Sequence, residues 1–284
     1  MALKRKLKNL IRGISPNAVD QMQRVLGKKD KTYAGEFQAL RSILDLFGNP
    51  KEFGFVDIGA GDGFNMSIAW PLAKQFHAYG LLVEPNVSQL NKARLLYQKN
   101  RNFEFSTEII TPTNVHDTIL KHGFGNSLYM KIDIDSYDLE IFRATVSQGF
   151  QPRIVSIEIN ELFPPPVRFE MRYSDELVPI EAPFYGCSLQ SVFDFANSNG
   201  YLLHTLAFNN AFFVLKDSLE RQQVFRPLSP KNAYCEGFLN RRWSKLFPWD
   251  VEYEEWLSKP AKELVQIVRS HPNFNHELLL LSEG

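Results

Sequence analysis

Four short stretches of this chain set acids and glycines at the ends of apolar runs, where they could do chemistry. Asp57-Ile58-Gly59-Ala60-Gly61-Asp62-Gly63 closes the first run, and a helical pattern begins directly after it, over residues 66–76. Glycines at 59, 61 and 63 permit positive φ and let the backbone come close to a ligand, as a phosphate- or carboxylate-binding turn at a helix N-terminus requires. Glu84 ends the second run, residues 78–83. Its two oxygens match the two vicinal hydroxyls of a ribose, about 20 residues beyond the glycines, the separation expected when one helix intervenes. An acid that merely caps the helix 87–99 would read the same way. Asp133 and Asp135 stand two apart at the end of a fourth strand, residues 127–135, and Glu158 and Asn160 repeat the device at the end of a fifth, residues 153–161. If the strands stay extended, each pair points to one side, and together they form an oxygen-lined floor. That floor suits Mg²⁺, with Asp133, Asp135, Glu158 and Asn160 as ligands. It equally suits a substrate hydroxyl with Asp133 or Asp135 as the base and no metal.

Placing these residues together requires a parallel α/β sheet. The apolar runs at 53–58, 78–83, 103–106, 127–135 and 153–161 alternate with helical patterns, so their carboxyl ends share one edge, where ligands of open α/β sheets bind. Glu108, just past the third strand, is positioned to recognise a base such as adenine, or else is a solvated loop acid. A helix over 38–47, led in by Gly35-Glu36, precedes the glycine turn and either overlies its ligand or simply packs on the sheet. Residues 201–207 and 211–215 meet at Asn209-Asn210, an antiparallel hairpin signal. His204 in that hairpin reads as structural. Between strand five and the helix 189–199 lies a long stretch, 162–186, rich in proline and aromatics. Its length and place mark a lid over the acceptor, with Arg168 and Arg172 as substrate-binding candidates for an anionic group.

Composition bounds the rest. Lys+Arg and Asp+Glu balance at 32 each in 284 residues, so no net field points to nucleic acid. Cys187 and Cys235 lie in no metal-binding spacing, and a reducing cytoplasmic setting is expected. No apolar run approaches the roughly 20 residues of a membrane span. Residues 1–31 are basic, and residues 2–13 form a short amphipathic pattern suited to peripheral contact with an anionic membrane through residues 1–14, or to packing on the chain itself. Residues 217–284 form an aromatic-rich helical extension. Trp243, Phe247, Pro248 and Trp249 look like its docking residues, covering the core, the substrate site or a second subunit in a homo-oligomer.

Taken together, Phe55 to Gly63, Leu82-Val83-Glu84-Pro85-Asn86, Lys131-Ile132-Asp133-Ile134-Asp135-Ser136-Tyr137-Asp138 and Ser156-Ile157-Glu158-Ile159-Asn160-Glu161 resemble the FkbM-type family of S-adenosylmethionine (SAM)-dependent methyltransferases. Tyr33-Ala34-Gly35-Glu36, Gly186-Cys187-Ser188-Leu189 and Asn210-Ala211-Phe212-Phe213-Val214 resemble that family's leading segment and closing hairpin. The resemblance spans residues 32–216 and implies a seven-stranded Rossmann-like α/β sheet, five parallel strands plus a C-terminal antiparallel hairpin, with helical extensions at both ends. It implies O-methyl transfer to a hydroxyl of a sugar, polysaccharide or related small molecule. By position, Gly59, Gly61 and Gly63 would hold the methionine part of SAM, Glu84 the ribose, and Asp133 the amino group or the transfer centre, with Asp57 also among the cofactor-binding residues. Many members have Glu-Gly where this chain has Asp135-Ser136. Two other functions compete. A nicotinamide enzyme would need glycine at the sixth position of the loop, where Phe64 stands. A SAM-fold module without catalysis would keep the sheet and bind partners through its extensions.

Overall fold

The computed structural model describes residues 32, 35–175, 183–219, 226–240, 246–248 and 250–284. The basic segment 1–31, Tyr33, Ala34, Trp243 and Trp249 lie outside the described residues.

Five parallel strands alternate with helices: α1 (Glu36–Leu46), β1 (Gly54–Ile58), α2 (Ala69–Gln75), β2 (Tyr79–Val83), α3 (Val87–Tyr97), β3 (Phe103–Ser106), α4 (Val115–Lys121), β4 (Tyr129–Ile132), α5 (Asp138–Ser147) and β5 (Ile154–Glu158). Further along the chain come β6 (Arg168–Met171), α6 (Leu189–Ser198), β7 (Tyr201–Ala207), β8 (Asn210–Leu215), α7 (Pro230–Tyr234), α8 (Ala261–Arg269) and β9 (Leu279–Ser282). The main sheet runs β3-β2-β1-β4-β5-β8-β7, with β8 antiparallel to both β5 and β7. This is the expected seven-stranded α/β sheet, five parallel strands from the alternating apolar runs and two more from the hairpin at Asn209-Asn210.

The sheet is covered on both faces, which explains why its central strands read as unbroken apolar runs. Phe55, Leu82, Tyr129 and Phe212 pack against Leu40 and Ile43 of α1 and Leu90 and Ala93 of α3 on one side. Val56, Ile58, Leu81, Met130 and Ile157 pack against Ile119, Ile141, Phe142 and Val192 on the other. His204 of β7 lies 3.2 Å from the Ser42 hydroxyl of α1, a structural tie between helix and sheet edge.

Two features depart from the expected elements. The fourth strand stops at Ile132, and Asp135 sits at φ 54, so the alternation that would have put Asp133 and Asp135 on one side is broken. The proline-rich stretch also contributes a strand of its own: β6 pairs antiparallel with β9 at the end of the chain, Arg168 opposite Ser282 and Met171 opposite Leu279. The C-terminal extension is thereby stitched to that stretch, and Trp256, Leu264, Val268 and Phe274 join the same core as β4 and β5. Phe163 stacks on Phe169 at 4.1 Å, and Trp256 lies over Phe163 at 5.9 Å.

Glu161 is sealed beneath this extension. Its Oε2 accepts from the Tyr185 hydroxyl at 3.1 Å, its backbone oxygen accepts from the Tyr234 hydroxyl, and Oε1 has no hydrogen-bond partner among the described residues. Burial, reinforced by Asp250, pushes its carboxyl from 4.5 to about 8. Between those values the folded chain keeps a proton that the unfolded chain has released, so this group's stabilisation is complete below pH 4.5 and is lost as pH rises toward 8. Replacing Glu161 with Gln is therefore expected to flatten the decline in stability between pH 5 and pH 8 by on the order of 2 kcal/mol, read from urea midpoints at the two pH values. Parallel declines in the two proteins would refute this origin.

Candidate active site

The carboxyl ends of β1, β2, β4 and β5 meet at one edge of the sheet. Gly59 leaves β1 at φ 85 with its N–H on the Val83 carbonyl at 2.9 Å, which binds the turn to the end of β2. Its α-carbon is pressed against β4: a β-carbon there would lie 1.6 Å from the Asp133 carbonyl oxygen. Gly61 differs. At φ 55, a β-carbon on it would meet nothing within 4 Å, so this part of the turn borders open space. Asp62 locks the turn's far side by accepting from the backbone N–H of Phe64 at 2.9 Å and of Asn65 at 2.7 Å.

Glu84 is turned toward this turn. Its Oε2 accepts from the Gly61 N–H at 3.0 Å and its Oε1 from the Asn86 N–H at 2.8 Å. The helix that follows is capped by Asn86, whose side chain accepts from Ser88 and Gln89, so Glu84 is not spent as its cap. Each carboxylate oxygen keeps lone pairs for a ligand's hydroxyls. Asp57 lies under the turn, fully buried, with one oxygen 3.4 Å from the Ser67 hydroxyl. Burial raises it to about 7, opposed by Lys131 and reinforced by Glu36 and Asp133.

Beyond the turn, one carboxylate oxygen from each of Asp133, Asp135 and Glu158 lies within 4.8 Å of the other two. Glu158 is oriented from the side by the Asn209 amide, which donates to its Oε1 at 2.6 Å. Burial drives the Glu158 carboxyl well above its usual range, and Asp133, Asp135 and Asp138 push it further. Asp135 is raised by desolvation and then by Asp133. The loop that carries Asp133 and Asp135 is closed by Asp138, whose oxygens accept from Ile134 N–H at 2.9 Å and Ser136 N–H at 3.0 Å. Asp138 is thus a buried staple rather than an ordinary first-turn acid, and burial lifts it to about 7.

The remaining sequence candidates are engaged elsewhere. The Asn160 amide group donates to the carbonyls of Pro183 and Tyr185, and its oxygen accepts from Leu162 N–H. Glu108 accepts from the Thr118 hydroxyl at 2.6 Å and from Lys121 at 2.7 Å, pinning the end of β3 to α4. Arg168 pairs with Asp194 at 2.6 Å, and Arg172 is exposed just past β6 with its N–H on the Leu278 carbonyl.

The group that sequence reasoning passed over is Lys131. It sits third in the apolar strand β4 and is buried, its ammonium 3.0 Å from Glu36 Oε1 and 3.0 Å from Asp133 Oδ2. The Glu36 contact is held by charge rather than by an aligned hydrogen bond. A lysine inside an apolar run was itself the signal, because an ammonium is buried there only with acids to meet it.

The order of the sheet and its single reversed strand define a Rossmann-like α/β fold. No protein-family model matches the chain, and no curated protein matches it. Among solved structures it is similar to monomeric WbdD, with 13% identity over 68% of this chain and 44% of that one at a TM-score of 0.42. The chain thus spans less than half the length of that protein. It is also similar to magnesium protoporphyrin IX methyltransferase (ChlM) from Synechocystis PCC 6803 with bound SAH, with 14% identity over 73% of this chain and 99% of that one at 0.41. A third is the N-terminal domain of EvdMO1 with SAH bound, with 13% identity over 63% of this chain and 78% of that one at 0.39.

Proposed function

We propose that this chain is a SAM-dependent O-methyltransferase acting on a hydroxyl of a sugar or related small molecule. The observation that carries the reading is Glu84, reaching across from the tip of β2 to the Gly61 N–H beside open space. That geometry fits adenosyl ribose against Glu84 and the methionine part against the glycine turn. When bound, SAM supplies an activated methyl group. The chain's part is to hold donor and acceptor in line, exclude water and receive the acceptor's proton. Asp133, whose backbone carbonyl lies against Gly59, and Asp135 are the candidate bases, with Glu158 beside them. A nicotinamide ligand fits poorly, because Phe64 fills the position that needs glycine and is buried against Trp70 at 4.9 Å.

Three carboxyl groups, Asp133, Asp135 and Glu158, line the acceptor edge, and Arg168 is occupied by Asp194, so this edge presents acids rather than a cation to the acceptor. A neutral hydroxyl is the better fit. The same cluster favours a second reading, in which Asp133, Asp135 and Glu158 would hold Mg²⁺, whose charge would make the acceptor hydroxyl more acidic. Chelation separates the two: loss of turnover in EDTA with recovery on adding Mg²⁺ selects the metal, and indifference to EDTA selects carboxylate base catalysis.

The experiment that tests the main reading is calorimetric titration with SAM and with S-adenosylhomocysteine, followed by an assay for S-adenosylhomocysteine release over a panel of neutral glycans. Absence of binding by both would sink it in favour of a non-catalytic module. Gly61→Ala supplies a sharper check. Nothing opposes the new methyl group within the fold, so the cost to stability is that of the left-handed backbone, about 1 kcal/mol. The methyl group enters the space assigned to the methionine part, and SAM binding is expected to fall at least about tenfold. Unchanged affinity would place the ligand elsewhere.

A further inference from the structure

Lys131 is buried at the heart of the sheet, yet it touches the site through one atom. Its ammonium bridges Glu36, at the first residue of α1, and Asp133, at the tip of β4, at 3.0 Å on each side. Asp57 and Tyr129 are the other ionisable neighbours that bear on it. Asp133 is in turn the residue whose backbone lies against Gly59 and hydrogen-bonds to the Ile58 carbonyl at 2.9 Å. Its side chain retains 24% exposure, the part of this network that reaches the ligand space.

Resting on the methyltransferase reading, we propose that Lys131, braced by Glu36, is a positioning residue that holds the Asp133 carboxylate toward the cofactor's positively charged sulfur. Three facts converge on it. A lone buried lysine is costly, and here two acids repay it, one internal and one at the site. Asp133 meets the ammonium through Oδ2 and has a carboxylate oxygen within 4.8 Å of those of Asp135 and Glu158, so Lys131 opposes the pull that two neighbouring acids exert on its charge. Glu36 also ties the network to α1, which gives that helix a role at the site beyond packing on the sheet.

The test uses the paired variant Glu36→Gln/Lys131→Met in the full chain. It removes one negative and one positive charge, so the net charge is preserved while the cation that touches Asp133 is lost. SAM carries the sulfonium charge and S-adenosylhomocysteine does not, so the ratio of their dissociation constants reports how well a carboxylate faces that sulfur. The expected result is a loss of about tenfold in the preference for SAM, with S-adenosylhomocysteine binding within about twofold of wild type. A folded variant with an unchanged ratio would overturn the assignment. Should the pair not fold, Glu36→Gln alone leaves the lysine in place but unbraced, and a smaller loss in the same direction is expected; no loss overturns it. If the wild type binds neither compound, the methyltransferase reading fails first. The proposal, which rests on that reading, is then overturned with it.

Discussion

Glu84→Ala is expected to weaken SAM binding by about 100-fold, or about 3 kcal/mol, while leaving the fold intact. The size follows from what the carboxylate does. Each oxygen already accepts one backbone N–H, from Gly61 and from Asn86, and has lone pairs left for the two ribose hydroxyls. Hydrogen bonds to an ionised acceptor are worth more than neutral ones, and alanine deletes both at once. It also frees the Gly61 N–H, so the turn loses the anchor that aims it. Stability changes little, because Glu84 is partly exposed at the strand end. Glu84→Gln keeps the shape and one acceptor oxygen, and a loss of about tenfold is expected. Calorimetry measures the affinities and thermal unfolding checks the fold. An alanine variant that binds SAM like the wild type would remove the cofactor assignment.

The residues behind this prediction were legible in the sequence for a physical reason. Parallel strands covered on both faces must be apolar throughout, so an acid or a glycine at their ends stands out against Phe55-Val56 or Leu81-Leu82-Val83. Glu84 and the glycines announce themselves in this way, and the hairpin at Asn209-Asn210 follows from turn chemistry. Where the structure adds to the sequence, the contacts are long-range. Lys131 meets Glu36 from a segment some ninety residues earlier in the chain, and no local pattern links them. The pairing of β6 with β9 joins two short strands more than one hundred residues apart. Each is too short for alternation to stand out, and each gains its identity only from the other. The end of β4 was hidden for another reason. Asp133-Ile134-Asp135 reads as continued alternation, and only Asp138, folded back onto Ile134 and Ser136, turns the chain out of the strand.

Gly59→Ala is expected to destroy the fold rather than the ligand site, and here it parts company with Gly61→Ala two residues on. Both glycines have positive φ, 85 and 55, so both variants bear the cost of a left-handed backbone. The difference lies in what the new methyl group meets. At Gly61 it meets nothing within 4 Å, whereas at Gly59 it falls 1.6 Å from the Asp133 carbonyl oxygen and 2.6 Å from its carbonyl carbon. Those atoms are backbone, and Asp133 is fixed to β1 by its own N–H on the Ile58 carbonyl at 2.9 Å, so no side chain can swing away. Relief requires β4 to part from β1 at the centre of the sheet, breaking the packing that both cores share. A loss above about 4 kcal/mol is expected, a large share of the roughly 5–15 kcal/mol that holds a domain folded. Urea unfolding and soluble yield measure it, with Gly61→Ala as the matched control. Equal stability in the two variants would mean that the turn can leave β4 freely, and the close seating of the glycine loop on Asp133, on which the Lys131 proposal also depends, would have to be abandoned.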